Sequence, residues 1–229
     1  MKNLVSYENC GCYSTITLDD GKVNVVSVDM SQQINEALDR AQDDENVVVL
    51  TGRGNVLSAG FDTKAFTQPD VAAEMFKRGA ELAERLLSFP LPVVVACNGH
   101  AIAMGAFLLL AGDTRIGVRG DGKICTNEVA IGLTVPNFAI EICRQRLAPA
   151  HFNRALITAA PYSQEQAVNA GFLDEIVDKD QLMMAAVSEA ERLAQLDRKS
   201  FVASKLRVRE VAIEALNHGI NQDAARWKQ

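Results

Sequence analysis

The sequence predicts an α/β fold in which a mainly parallel sheet is followed by a helical C-terminal third, and three observations carry that reading. Short β-branched runs (Val47 to Leu50, Val93 to Cys97, Thr114 to Val118) alternate with stretches of helical period up to Pro149. Two of these runs lead into turns made of small residues. Beyond Pro149 the strand signals almost vanish and helical patterns follow one another, which places the sheet in the first part of the chain.

The first strands are Tyr7 to Cys10 and Cys12 to Leu18, joined at Gly11, the second alternating Tyr13, Thr15 and Thr17 against Ser14, Ile16 and Leu18. Asp19-Asp20-Gly21-Lys22 is a turn. From Ser31, whose hydroxyl suits a helix cap, Ile34, Leu38 and Ala41 recur on one face. The acidic group Asp43-Asp44-Glu45-Asn46 closes that helix and reads as a solvated helix end rather than a metal site. A second helix runs from Asp70 to Ser88, with Met75, Leu82, Ala83 and Leu86 inward. Phe89-Pro90-Leu91-Pro92 stops it, because proline lacks an amide donor and disfavours helix in the residue before it. After the strand Val93 to Cys97 and a helix from Ala106 to Ala111, Thr114 to Val118 is a further strand and Gly120-Asp121-Gly122 a turn. Then Phe152 to Ala159, Ser163 to Ala170, Gln181 to Leu196 and Ser200 to Asn217 read as helices, with Glu175-Ile176-Val177 extended.

The chemistry is concentrated in the two turns. Asn98-Gly99-His100-Ala101-Ile102-Ala103-Met104-Gly105 follows one strand, and Leu57-Ser58-Ala59-Gly60-Phe61-Asp62 follows another. Glycine and alanine leave the backbone open to close approach. Amides at the start of a helix have no partner inside it and point outward, ready for negative charge. One such turn alone reads more readily as an ordinary buried connection. Two of them offer two amide donors, the makings of an oxyanion hole.

Composition narrows the class. The 229 residues are 48% hydrophobic and 23% charged, the balance of a globular domain large enough to bury a core. A net charge of −6 and the lack of any Lys/Arg-dense helix argue against a nucleic-acid partner. The polar start and the lack of any apolar run of spanning length predict a cytoplasmic protein with no membrane segment. Five cysteines without CxxC spacing predict free thiols and no metal site.

From about Val5 to Leu196 the chain resembles the crotonase, or enoyl-CoA hydratase/isomerase, superfamily. The resemblance rests on Ser58-Ala59-Gly60-Phe61-Asp62 after a strand, on Asn98-Gly99-His100-Ala101 before a helix, and on Asp113-Thr114-Arg115-Ile116. It also rests on Asn24 and on Ala167-Val168-Asn169-Ala170-Gly171-Phe172-Leu173-Asp174-Glu175-Ile176-Val177. It implies a crotonase-like spiral of ββα units with a helical C-terminal region: a core over 1–196 and a segment over 197–229 completing the trimerisation region. It further implies a homotrimer or homohexamer, and a coenzyme A thioester as substrate with no separate cofactor. By position, the thioester carbonyl falls to the amides of Phe61 and Met104, with Ser58, Ala59, Gly60, Asp62 and Gly105 shaping the binding turns. Family members often have glycine where this chain has Ala103 and Met104; the Met104 side chain is expected to narrow or line the acyl pocket.

The departures bear on mechanism. Phe107 stands where the family's hydratases carry one catalytic glutamate, and phenylalanine moves no proton. Glu128, in Asn127-Glu128-Val129, matches the hydratases' other carboxylate and the sole catalytic glutamate of mitochondrial-type isomerases, and its apolar neighbours predict a raised pKa. His100 is expected to be packed rather than catalytic, and Asp62 and Asp113 to be cap or turn residues. Glu141 faces either the pocket or solvent; Lys205 and Arg207 are expected on a solvated helix face, although related enzymes sometimes bring such residues to the coenzyme's phosphates. The leading expectation is isomerisation of 3-enoyl-CoA to 2-enoyl-CoA by one carboxylate. The alternatives are a hydratase or another acyl-CoA lyase or hydrolase using Glu128, alone or with Glu141, and a non-catalytic acyl-CoA-binding protein.

Overall fold

The structure, a computed structural model, describes residues 2–226. The chain opens with an antiparallel pair, β1 (Val5–Asn9) and β2 (Tyr13–Leu18), and α1 (Val28–Asp43) follows. Three times after this the chain lays one strand in a large sheet and the next in a small one. These pairs are β3 (Val47–Gly52) with β4 (Val56–Ser58), β5 (Val93–Cys97) with β6 (His100–Ile102), and β7 (Thr114–Val118) with β8 (Ile124–Cys125). The helix α2 (Pro69–Ser88) follows the first pair and α3 (Met104–Ala111) the second. The outcome is a spiral of ββα units. A short 3-10 turn, Val129–Ile131, leads from β8 to α4 (Asn137–Arg146), α5 (Pro149–Thr158) and α6 (Gln164–Ala170). The last strand, β9 (Glu175–Val177), precedes α7 (Leu182–Ala194) and α8 (Arg198–Arg226).

The large sheet has the order β1-β2-β3-β5-β7-β9, parallel beyond the first pair, and the small one β4-β6-β8. The unbroken apolar character of β3 and β5 follows from cover on both faces. Val48, Leu50, Val93 and Val95 point into the main core with α1, α2 and α3. Val47, Val49, Val94 and Ala96 meet Leu182, Ala186, Ala190 and Leu193 of α7 on the other face.

Several sequence elements find structural work here. Arg115 of β7 is buried, bonds both carboxylate oxygens of Asp174 and donates to the Gly171 carbonyl, so two separated motifs tie β7 to β9. Asn98 donates to the carbonyls of Gly52 and Gly54, fastening the end of β5 to the turn after β3. Asp113 and Asp62 are structural, as expected: Asp62 caps the 3-10 turn Thr63–Thr67, and Asp113 accepts from the Val93 amide. His100 is half-buried and accepts from the Lys123 amide at an exposed position. All five cysteines are free thiols. Among the described residues no helix is long and apolar enough to cross a membrane.

Four expectations need correction. The cap of α1 is Ser27, whose hydroxyl accepts from the Met30 amide at 3.1 Å; Ser31 lies inside the helix, fully buried. The helix after β6 starts at Met104 rather than Ala106, because Ala103, at φ 50°, makes the turn in a single residue. Helix α8 runs well past Asn217 to Arg226 and packs on α2 and α4. Lys205 is not solvated: it is 7% exposed and donates to Asp113 at 2.8 Å, while Arg209 meets the other Asp113 oxygen at 2.8 Å. That buried triad, absent from any pattern of charge spacing, docks α8 against the start of β5. Arg207 is exposed, as expected.

Candidate active site

The first turn is held in shape by Asn24, itself at φ 55°, whose amide group donates to the Val56 carbonyl at 2.8 Å. The Ser58 hydroxyl donates to the Asn24 carbonyl at 2.6 Å and accepts from the Gly60 amide at 3.2 Å. The Ala59 amide donates to Val23, and the Gly60 carbonyl accepts from Val26. Gly60 sits at φ 92°, in the left-handed region that glycine occupies without strain. With its neighbours committed, the Phe61 amide meets no acceptor among the described residues.

The second turn is built differently. Ala103 holds φ 50° and ψ −120°, its amide bonded to the Cys125 carbonyl at 2.8 Å and its own carbonyl accepting from Ala106 and Phe107. Met104 opens α3, so its amide is one of those a helix leaves over, and among the described residues it too meets no acceptor. The two turns touch. A Cβ placed on Gly105 would stand 2.3 Å from the Ser58 carbonyl oxygen, and one on Gly60 would stand 2.9 Å from the Ile102 carbonyl oxygen. Only glycine permits that approach.

Beside them lies a cavity of about 320 Å³, walled by Ala59, Phe61, Ala103, Phe107, Glu128 and further apolar groups. Glu128 sits just before the 3-10 turn Val129–Ile131, 6% exposed, and its Oε2 has no hydrogen-bond partner among the described residues. Burial pushes its pKa up to about 7. The effect spreads: burial, with the Glu128 charge nearby, raises the Cys125 thiol to about 11 and the Cys143 thiol well above its ordinary value. Phe107 is buried in the cavity wall, its ring edge-on to Phe138 at 5.7 Å. Glu141 is not part of that wall; it pairs with Arg144 at 3.1 Å on its own helix.

The Met104 side chain differs from expectation. It is fully buried and turns toward Gly79 of α2, so the apolar wall comes from Phe61, Phe66, Phe76 and the stretch Ile131 to Pro136 instead. Sequence reasoning also missed Asp223 and Arg226, which α8 brings to the cavity from the far end of the chain. Asp223 is buried and accepts from the backbone of Asn137 and Phe138, both at 3.0 Å, capping α4 from outside. A signal existed: α4 starts after Pro136 with no capping side chain of its own, and such a helix start needs an acceptor from elsewhere.

The first turn and the start of α3 thus stand beside a largely apolar cavity whose wall holds two buried carboxylates, Glu128 and Asp223. A family model described as "Enoyl-CoA hydratase/isomerase" matches residues 11–229, and the chain belongs to that family. A solved enoyl-CoA isomerase of Mycobacterium tuberculosis is 43% identical, with a TM-score of 0.95 over 98% of this chain and 99% of that one. A second structure of that same Mycobacterium tuberculosis protein, described there as a probable enoyl-CoA hydratase, is 42% identical, with a TM-score of 0.95 over 98% of this chain and 96% of that one. Among curated proteins, the peroxisomal enoyl-CoA delta isomerase 1 of Arabidopsis thaliana is 28% identical over 178 residues, which is 75% of this chain and 74% of the relative. The fold is the crotonase fold, and the protein is an enzyme of the enoyl-CoA hydratase/isomerase family.

Proposed function

We propose that the protein isomerises 3-enoyl-CoA to 2-enoyl-CoA, with the thioester oxygen held by the amides of Phe61 and Met104 and the proton carried by Glu128. The observation that carries this reading is that, among the described residues, the cavity offers one uncommitted carboxylate. Glu128 Oε2 is free of partners, Asp223 is engaged in capping α4, and Phe107 occupies the position at which a hydratase's second carboxylate is expected.

The chemistry needs little more. Ionised Glu128 takes a proton from the carbon next to the thioester carbonyl, and charge moves onto the carbonyl oxygen. Fixed amide donors stabilise that charge at no reorganisation cost, an effect typically worth about a hundred- to a thousandfold in rate per donor. The protonated carboxyl then returns the proton two carbons along. A pKa near 7 suits a group that must both take and give. Moving a proton between two carbons calls for no metal, redox partner or activated water, and the coenzyme A thioester enters as substrate rather than as a cofactor. Ser58, Ala59, Gly60, Asp62 and Gly105 are assigned to shaping the two turns. Exposed apolar side chains on α7 and α8, Met184, Val208 and Val211 among them, support a trimer or a multiple of it as the working form.

A second reading, hydration by Glu128, draws support from Asn127, whose buried Oδ1 is also unpartnered beside the cavity and offers water an acceptor. Rates with 3-hexenoyl-CoA and crotonyl-CoA separate the two. Isomerisation outpacing hydration by about a hundredfold or more, one general acid/base's share, is the expected result; equal rates favour the hydratase.

A further inference from the structure

Gly79 lies in the middle of α2, buried, at a position where glycine is a poorer helix former than alanine. Its neighbours Ala72, Ala80 and Ala83 are ordinary small residues of a packed helix face. What sets Gly79 apart is its surroundings. A Cβ there would stand 2.4 and 2.6 Å from Cε1 and Cζ of the Phe61 ring and 3.5 Å from the Met104 sulfur. Two residues from separate turns, the same two whose amides meet no acceptor, thus bring their side chains to one point on one helix.

We propose that Gly79 is a positioning residue for the oxyanion hole: lacking a side chain, it is the socket in which the Phe61 ring seats, beside the Met104 sulfur, and so fixes where the Phe61 amide points. The proposal rests on the oxyanion-hole reading of those amides.

The Phe61 ring has few places to go. Phe76, also on α2, meets it edge-on with centroids 5.0 Å apart, and Phe66 backs Phe76 at 5.4 Å. The backbone on either side is committed, with the Gly60 carbonyl accepting from the Val26 amide at 2.7 Å and the Asp62 carbonyl accepting from the Ala65 amide at 3.0 Å. A methyl at Gly79 needs roughly 1 Å more room to reach ordinary contact. The ring yields that distance by swinging into the cavity or by tilting residues 60 and 61, which turns the Phe61 amide. Misplacement on that scale at a reacting centre costs up to about a hundredfold in rate.

The test is a cycle of Gly79→Ala, Phe61→Leu and the double variant, assayed for isomerisation, with amide NMR spectra of each free protein. Leucine lacks the two ring atoms that a methyl at position 79 would strike. Gly79→Ala is expected to lower kcat by about 10- to 100-fold with a smaller change in KM. In the Phe61→Leu background the same change is expected to cost less than about threefold, the mark of coupled sites. In the free protein the Phe61 amide resonance is expected to move on Gly79→Ala while those of Val93 to Cys97 stay. A kcat unchanged by Gly79→Ala, or a loss undiminished in the Phe61→Leu background, overturns the proposal, as does an unmoved Phe61 resonance. If Gly79→Ala does not fold, recovery of folding by Phe61→Leu supports the socket, and failure to recover overturns it. Should the wild type neither bind nor turn over a CoA thioester, the oxyanion-hole reading falls, whereas the Phe61 resonance still decides whether Gly79 seats that turn.

Discussion

Replacing Glu128 by glutamine is predicted to make the protein more stable at pH 8. The carboxyl is 6% exposed, its Oε2 meets no donor, and burial raises its pKa from the ordinary 4.5 to about 7. In the unfolded chain it ionises at the ordinary value, so between those two pH values the native state holds a proton that the unfolded state has released. Stability from this group is therefore complete below about pH 4.5 and is lost as pH rises through 7. At 1.36 kcal/mol per pKa unit, the rise corresponds to about 3 kcal/mol lost by pH 8. Glutamine keeps the shape and carries no charge, so it escapes that loss. Urea unfolding at pH 5 and pH 8 measures the difference: some of the loss has already occurred by pH 5, so the wild type is expected to lose about 2.5 kcal/mol more than Glu128→Gln across the interval. Equal pH dependence would refute the claim that Glu128 is desolvated and unpaired. A variant less stable than wild type at pH 8 would mean that the carboxylate has a cationic partner.

Three further outcomes follow from other parts of the structure. Asp113→Ala leaves Lys205 and Arg209 buried without their anion and is expected to cost about 3–5 kcal/mol in chemical denaturation; a loss under 1 kcal/mol would mean that α8 docks without the triad. Ala103→Gly relieves a left-handed backbone at φ 50° and is expected to raise stability by about 1 kcal/mol, read as a higher Tm with isomerase activity retained; a lower Tm would contradict strain at that turn. Phe107→Glu puts a carboxylate into the cavity wall and is expected to raise crotonyl-CoA hydration above the wild-type rate, as followed by loss of enoyl absorbance; no rise in a folded variant would show that a second carboxylate is not what hydration lacks.

How much of this was legible in the sequence depended on how local each signal is. The β-branched runs of β3, β5 and β7 and the periodic faces of α1 and α2 announce themselves, because strand and helix periods are properties of neighbouring residues. The turns at Ser58–Asp62 and Ala103–Gly105 were also readable, since small residues after a strand report close backbone approach. The small strands β4, β6 and β8 were not: each is two or three residues long and exists only because it pairs with the others. The cap of α1 was misplaced by four residues, since Ser27 and Ser31 are equally good local candidates and only the start of the hydrogen-bonded spiral decides between them. Lys205, Asp223 and the wall of the cavity at Ile131 to Pro136 are set by how α8 folds back on the core, across separations that no window of sequence covers. Glu128 was found through family register and not through its surroundings, although its apolar neighbours did point to the raised pKa.

The central claim is that Glu128 alone moves the proton while the amides of Phe61 and Met104 hold the thioester. The most direct measurement is the turnover of 3-hexenoyl-CoA by Glu128→Gln beside calorimetric binding of acetoacetyl-CoA to the same protein. General acid/base groups supply about a hundred- to ten-thousandfold in rate, so turnover is expected to fall by at least that lower bound while the dissociation constant changes by less than about threefold. Turnover that survives the substitution in a variant that binds the thioester normally would contradict the account.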